Sequence, residues 1–205
     1  MERDDGPVDF TKLLDIGDFR WPAASDVPFA EADAPNANAT IAEDAFPRLT
    51  AMIDGYKMGA DLMVVHAEAN PLDRDDLVYP IIFNYRQFLE LWLKYIIAVY
   101  GPEVDIKPVW NSHKLDDLWK SHAEILKKYG VVTDLLEADL AVAKIVLEFS
   151  KIDPDSFSYR YPVDTKGKPI PVVLPDLYLP KLADVMKAVH NYFSGCDGAL
   201  TNPGG

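Results

Sequence analysis

Positive charge is scarce in this sequence. Twenty Lys and Arg stand against 33 Asp and Glu, for a formal net charge of −13. Broad nucleic-acid binding needs clustered Lys and Arg to displace counterions, so this balance disfavours RNA or DNA as a general partner. Cysteine is nearly absent. Cys196 stands alone, which excludes an intramolecular disulfide, and it has no neighbouring His or Lys to activate a thiolate. The four histidines are scattered, with no HExxH or paired CxxC spacing, so no metal and no cofactor is expected. A Gly-rich phosphate loop and a Ser nucleophile motif are also missing. No apolar run reaches the ~18 residues of a membrane span. The start, MERDDGPVDF, lacks the charged-then-apolar pattern of a signal peptide. These absences predict a cytoplasmic protein that does not enter the membrane. Asn38-Ala39-Thr40 matches a glycosylation sequon, but without a secretory signal it reads as chance.

What the sequence has is helical periodicity. Residues 1–40 are set apart: they are rich in Asp, Ala and Pro, with Phe10, Leu13, Leu14, Ile16, Phe19 and Trp21 clustered early. They predict a partly irregular arm. Residues 41–200 predict one domain. A first helix is expected from Asp44, an N-cap with Pro47 in the first turn, to Asn70-Pro71. Its apolar face is Leu49, Met52, Ile53, Tyr56, Met63, Val64 and Ala67. Gly55 and Gly59, spaced by four, suggest close packing of that helix. A second is expected from about Asp73 to Tyr100, with Pro80 marking a kink or its true start. A third runs from Ser112 to Tyr129 and stops at Gly130. A fourth begins at Asp134, which pairs with Glu137 in a capping pattern, and ends near Lys151. Its face is Leu136, Leu140, Ala143, Val146 and Leu147. A fifth runs from about Pro180 to Ser194, ended by Gly195. Between the last two, SFSYRYPVDTKGKPIPVV alternates, turns at Asp164–Gly167 and is broken by Pro. It predicts a short hairpin or extended excursion. The fold class is all-α: an antiparallel up-and-down bundle of about five helices with that insertion.

The second helix carries the chemistry of most interest. In NYRQFLELWLKYII, Arg86, Glu90 and Lys94 recur every fourth residue along one edge of a helix that is mostly apolar or aromatic. Such a ladder is either the exposed edge of a central helix or a buried ion network, and its functional reading is an Arg86 that grips an anion.

YPIIFNYRQFLELWLKYII, then HKLDDLW, FSYRYPVDTKGK and LADVMKAVHNYFSGC, in that order, resemble the HEPN superfamily of small helical-bundle domains. The first element is similar to the Arg-x-x-x-Glu-x-x-x-Lys helix of such domains, and His113-Lys114-Leu115 to the start of the helix that follows. The resemblance spans about residues 75–196. It implies an up-and-down bundle, frequently dimeric, found among toxin–antitoxin, CRISPR-linked and phage-defence proteins. Many members are metal-independent ribonucleases with an Arg, four to six residues, then a His. None of the six arginines here (Arg3, Arg20, Arg48, Arg74, Arg86, Arg160) has a His at that offset. The departure implies a HEPN-like domain without the usual nuclease centre.

Three readings follow. The first is a non-catalytic binding module, a homodimer or one held by a protein partner. The second is a divergent metal-independent ribonuclease that assembles Arg86, His113, Arg160 and His190, with His as the proton-transfer group and Arg as the charge stabiliser. The third is a small-ligand or nucleotide sensor using Arg86, Glu90, Lys94, Tyr159 and Arg160. In YRYP, Tyr159 and its neighbours either stack on a ligand ring or plug one end of the bundle, with Arg160 reaching a carboxylate such as Glu90. His122 lies on an apolar helix face and reads as a satisfied core histidine. His66, near a helix end, reads as a partner of the terminal carbonyls. Asp73–Asp76 reads as a solvated helix start rather than a magnesium site.

Overall fold

A computed structural model describes residues 20–131, 136–171 and 176–202. Among the described residues the regular structure is five α-helices and three short 3₁₀ turns, with no strand. The all-α expectation holds. The chain divides between Ile41 and Ala42 into two units. In the first, the Asp26 carboxylate receives bonds from Arg20 and the Ala23 N–H, and Asn38 closes a reciprocal pair with the Ala32 backbone. Phe10, Leu13, Leu14, Ile16 and Phe19 lie outside the described residues.

The second unit holds the helices: α1 (Ala45–Ala69), α2 (Arg74–Tyr100), α3 (Leu115–Lys128), α4 (Leu136–Ile152) and α5 (Leu179–Thr201). The central helix is α2, which packs against α1, α3 and α5. Its buried residues include Ile81, Tyr85, Phe88, Leu89, Leu93 and Ile96, all fully enclosed. Pro80 lies inside α2, so the helix begins before it. The N–H that proline lacks would have met the carbonyl of Asp76, which is exposed and can bond water instead. Three Tyr–Asp hydrogen bonds pin neighbouring helices together: Tyr85 to Asp61 (2.7 Å), Tyr100 to Asp197 (2.6 Å) and Tyr192 to Asp139 (2.7 Å).

Four expectations need correction. The last helix does not stop at Gly195 but runs on to Thr201. A glycine costs a helix only ~1 kcal/mol. The added turns bury Cys196 and Leu200 and bring Asp197 and Thr201 to the Tyr100 hydroxyl. The third helix starts at Leu115, not Ser112. Ser112 accepts the Lys114 N–H one turn earlier. On α4, Val146 faces inward as expected, but it does so with Val142 and Phe149, whereas Leu140 is 64% exposed and Leu147 is 42% exposed. Two overlapping apolar stripes run along α4, and only packing selects between them. On α1, Gly59 does allow close approach, since a Cβ there would sit 3.2 Å from the Asn84 amide, but Gly55 faces open space. The Asp134 cap lies outside the described residues. The excursion after α4 contains one isolated antiparallel bridge, Val163 with Pro169, around a turn in which Gly167 takes φ +76°.

Candidate functional site

The ladder on α2 is buried. Arg86 is 0% exposed, Glu90 2% and Lys94 6%. Each charge ends on protein. Arg86 Nη1 donates to Glu90 Oε2 (2.8 Å), Nη2 to the carbonyl of His113 (2.7 Å) and Nε to the carbonyl of Asp153 (2.9 Å). Asp153 Oδ2 is also 3.3 Å from Nε. Lys94 donates to Glu90 Oε1 (2.8 Å) and to the Trp110 carbonyl (2.9 Å). His113 Nδ1 lies 2.9 Å from Glu90 Oε1. A carboxylate can only accept, so this bond fixes the proton on Nδ1. Burial pushes the Glu90 carboxyl up, but its bonds from Lys94, Arg86 and His113 outweigh that and hold it below the ordinary glutamate range. The i, i+4 spacing puts the three charges on one edge of α2, and the chain before α3 and after α4 closes over that edge.

The ladder therefore binds two segments that have no regular structure of their own. Through Trp110 and His113 it holds the approach to α3. Through Asp153 it holds the turn leaving α4. The Asp153 Oδ1 atom accepts the N–H groups of Phe157 (2.7 Å) and Ser158 (2.8 Å), which folds residues 153–158 back on themselves. Ser156 takes φ +59°, a left-handed conformation that costs a non-glycine residue ~1–2 kcal/mol. It is held by Gln87, which donates to its Oγ (2.7 Å), and its carbonyl accepts Arg160 Nε (2.7 Å).

This turn delivers Tyr159, Arg160 and Tyr161 to a second, open region. With Tyr79 from α2, Ser158, Pro162 and Ile170 they line a cleft of about 340 Å³. Arg160 does not reach Glu90. Its guanidinium carbon sits 5.6 Å from the centre of the Phe83 ring and 5.7 Å from that of Tyr161, so two aromatic groups flank it. Tyr159 and Tyr79 meet at 6.5 Å between ring centres. Burial, and then the Asp153 charge, push the Tyr159 hydroxyl above its ordinary range. A larger hollow of about 490 Å³ lies beside α2 and α5, but its lining sets two carboxylates, Asp75 and Asp176, against the single cation Arg74, so it does not favour an anion.

The four residues of the predicted nuclease centre are not brought together. Arg86 and His113 meet through the His113 carbonyl, not through the imidazole. Arg160 lies on the far side of the Asp153–Ser158 turn, bonded to Ser156. His190 packs its ring against Phe88 (5.9 Å) and Trp92 (6.4 Å). Those positions lie about 200° around the helix from Arg86 and Glu90, on the opposite flank of α2. Tyr159 and Arg160 do share a cleft. Arg86, Glu90 and Lys94 share a network.

Two residues behave differently from expectation. His122 is in the core, fully buried, but neither ring nitrogen has a hydrogen-bond partner among the described residues. It stacks on Trp119 at 4.9 Å and meets Phe193 edge-on at 5.6 Å. Burial pushes its pKa down to about 4. Asp153 was missed altogether: nothing around it in the sequence distinguishes it from the chain's other aspartates. The left-handed Ser156 beside it was equally illegible. His66 bonds Asp73 at 2.7 Å in an exposed pair. Among the described residues no group of His, Cys, Asp and Glu is arranged to hold a metal, and no helix is long and apolar enough to cross a membrane. No family model, curated protein or solved structure matches this chain.

Proposed function

We propose that the chain is a non-catalytic binding module of the HEPN-like kind, an antiparallel up-and-down bundle in which two copies meet along α1. The observation that carries this reading is an apolar seam on the solvent side of α1. Ala51, Gly55, Met58, Leu62, Val65 and Ala69 alternate in steps of four and three, and all six are exposed. Leu62 and Val65 are each 63% exposed and Met58 60%. This spacing is that of a helix that packs against another helix along its length. The seam carries no charge. In a chain of net charge −13 a neutral face is where two copies can approach without mutual repulsion. The inner face of α1 is already used on α2, so the seam is a second apolar surface beyond the needs of the fold.

The ladder supports a non-catalytic reading in its own way. A catalytic arginine must touch the charge it stabilises, and Arg86 is enclosed with Nε, Nη1 and Nη2 all engaged. A ribonuclease built on it would have to break that network first.

The test is the mass of the particle in solution, by light scattering or sedimentation, for the parent chain and for Leu62→Glu. A dimer that becomes a monomer with unchanged helicity supports the seam. A monomeric parent, or a dimer indifferent to Leu62→Glu and Val65→Glu, overturns it. A pull-down at native expression, scored for nucleic acid, then separates the remaining readings: trimmed RNA with the chain restores the ribonuclease.

A further inference from the structure

We infer that the cleft walled by Tyr79, Tyr159, Arg160 and Tyr161 binds a small planar aromatic monocarboxylate. Arg160 is its recognition group. The guanidinium spends Nε on the Ser156 carbonyl, and its two terminal nitrogens have no partner among the described residues. No carboxylate of the described residues pairs with it. Among the described residues Arg48 and Arg74 also lack a carboxylate partner; what sets Arg160 apart is its place on a cleft wall, between the rings of Phe83 and Tyr161. The remaining fork of N–H donors matches the two oxygens of one carboxylate.

The walls fix the rest of the ligand. Tyr79, Tyr159 and Tyr161 all line the cleft, and a flat aromatic group packs against such rings at little entropic cost. Pro162 and Ile170 add apolar lining. The volume is that of a small organic acid, at the low end of ligand pockets. Among the described residues the cleft lining holds one cation, Arg160, and no Gly-rich loop of backbone N–H groups. A phosphate dianion would ask for more positive charge than this. One guanidinium is matched to one carboxylate.

The site is also built in advance. Phe83 and Tyr161 flank the guanidinium, and the turn that carries it is clamped from beneath by Asp153, Ser156 and Gln87. The strained serine is consistent with a turn held in place for the residues that follow it. Little conformational freedom is left to lose when a ligand arrives, which favours affinity. The cleft can bind its acid whether or not α1 holds a second copy.

The experiment is isothermal titration of the full chain with indole-3-acetate and 4-hydroxybenzoate. Indole, phenol and acetate serve as the matched halves, and a nucleoside 5′-monophosphate and a short single-stranded RNA as competitors. An aromatic acid should bind one per chain. Its neutral ring and acetate should each bind at least about tenfold more weakly. Arg160→Gln should weaken the acid about tenfold or more, Arg160→Lys by less, and Tyr161→Leu measurably. Tyr161 is half exposed, so that last variant tests the wall without risk to the fold. Absence of binding by both acids at millimolar concentration overturns the inference. So does binding that ignores both Arg160→Gln and Tyr161→Leu. Tighter binding of the monophosphate or the RNA, with the same sensitivity to Arg160, would also overturn it and assign the cleft to nucleotides. None of these outcomes bears on the mass of the particle, so failure here and failure of the α1 seam are distinguishable.

Discussion

Arg86 and Arg160 sit on either side of one turn, Asp153–Ser158, and each donates to a carbonyl of it. Arg86 is enclosed, faces a carboxylate at 2.8 Å, and engages each of its three nitrogens with the protein's own framework. Arg160 is exposed, lies beside rings, and among the described residues its two terminal nitrogens have no partner. The contrast teaches how to assign a guanidinium. A buried arginine whose three nitrogens are all engaged maintains structure, because removing its counter-charge strands a buried cation. An arginine held by its Nε and flanked by rings keeps its fork for something else. The ladder makes the cleft possible, since it holds the turn that presents Tyr159 and Arg160.

The sharpest way to break this comparison is at Glu90. Glu90→Ala leaves Arg86 and Lys94 buried without their counter-charge, and should cost about 3–5 kcal/mol in urea denaturation. Arg160→Ala should cost under about 1 kcal/mol, the net value of one hydrogen bond. If the two losses are equal, the division into framework and site is wrong.

Acid should separate the core from the cleft next. The His122 pKa is pushed down to about 4 by burial, against about 6.5 in an unfolded chain. Between these values the unfolded chain takes up a proton that the folded chain refuses. Stability is fully present above pH ~6.5 and falls toward pH ~4, by on the order of 3 kcal/mol if the whole shift is realised. Asp139, the charged group that acts on His122 from α4, opposes the shift but does not cancel it. His122→Phe should flatten the pH dependence in that window, which chemical denaturation at a series of pH values would read. A retained slope would move its origin elsewhere. Glu90 adds a separate loss at lower pH, as its depressed carboxyl is finally protonated.

A smaller effect tests the link between the two regions. Ser156→Ala removes the Gln87 bond and should cost about 1 kcal/mol. If the turn presents the cleft, it should also weaken aromatic-acid binding without touching Arg160. Unchanged affinity would sever the link. The smallest effect is at Gly55. A Cβ there meets nothing within 4 Å, and an alanine should stabilise an exposed helix by up to about 1 kcal/mol. Loss of the dimer in Gly55→Ala would instead show that a second helix approaches closely at this position.

Much of the α2 ladder was legible. The i, i+4 recurrence of Arg86, Glu90 and Lys94 in an apolar helix has few arrangements open to it, and a mutually paired network is one of them. The position of Asp153 was not legible, because it meets Arg86 across 67 residues and its local sequence says nothing of that contact. The same holds for His190. The last helix offers a histidine, but which flank of α2 it meets depends on how α5 is rotated about its axis. The seam on α1 was not legible as a surface: apolar residues occupy two faces of that helix, and periodicity alone does not say which of them the fold leaves exposed.

The sequence by itself determined that this chain is helical, where most helices begin and end, and that three charges share one edge of a central helix. Those properties follow from local periodicity, caps and breakers, which act over a few residues. The tertiary structure decided which of two apolar stripes on α4 faces inward, how far α5 continues past its glycines, and which arginine is spent and which is left over. Each of these depends on groups far apart in sequence competing for the same buried space or the same hydrogen bond, and that competition is resolved only when the helices pack.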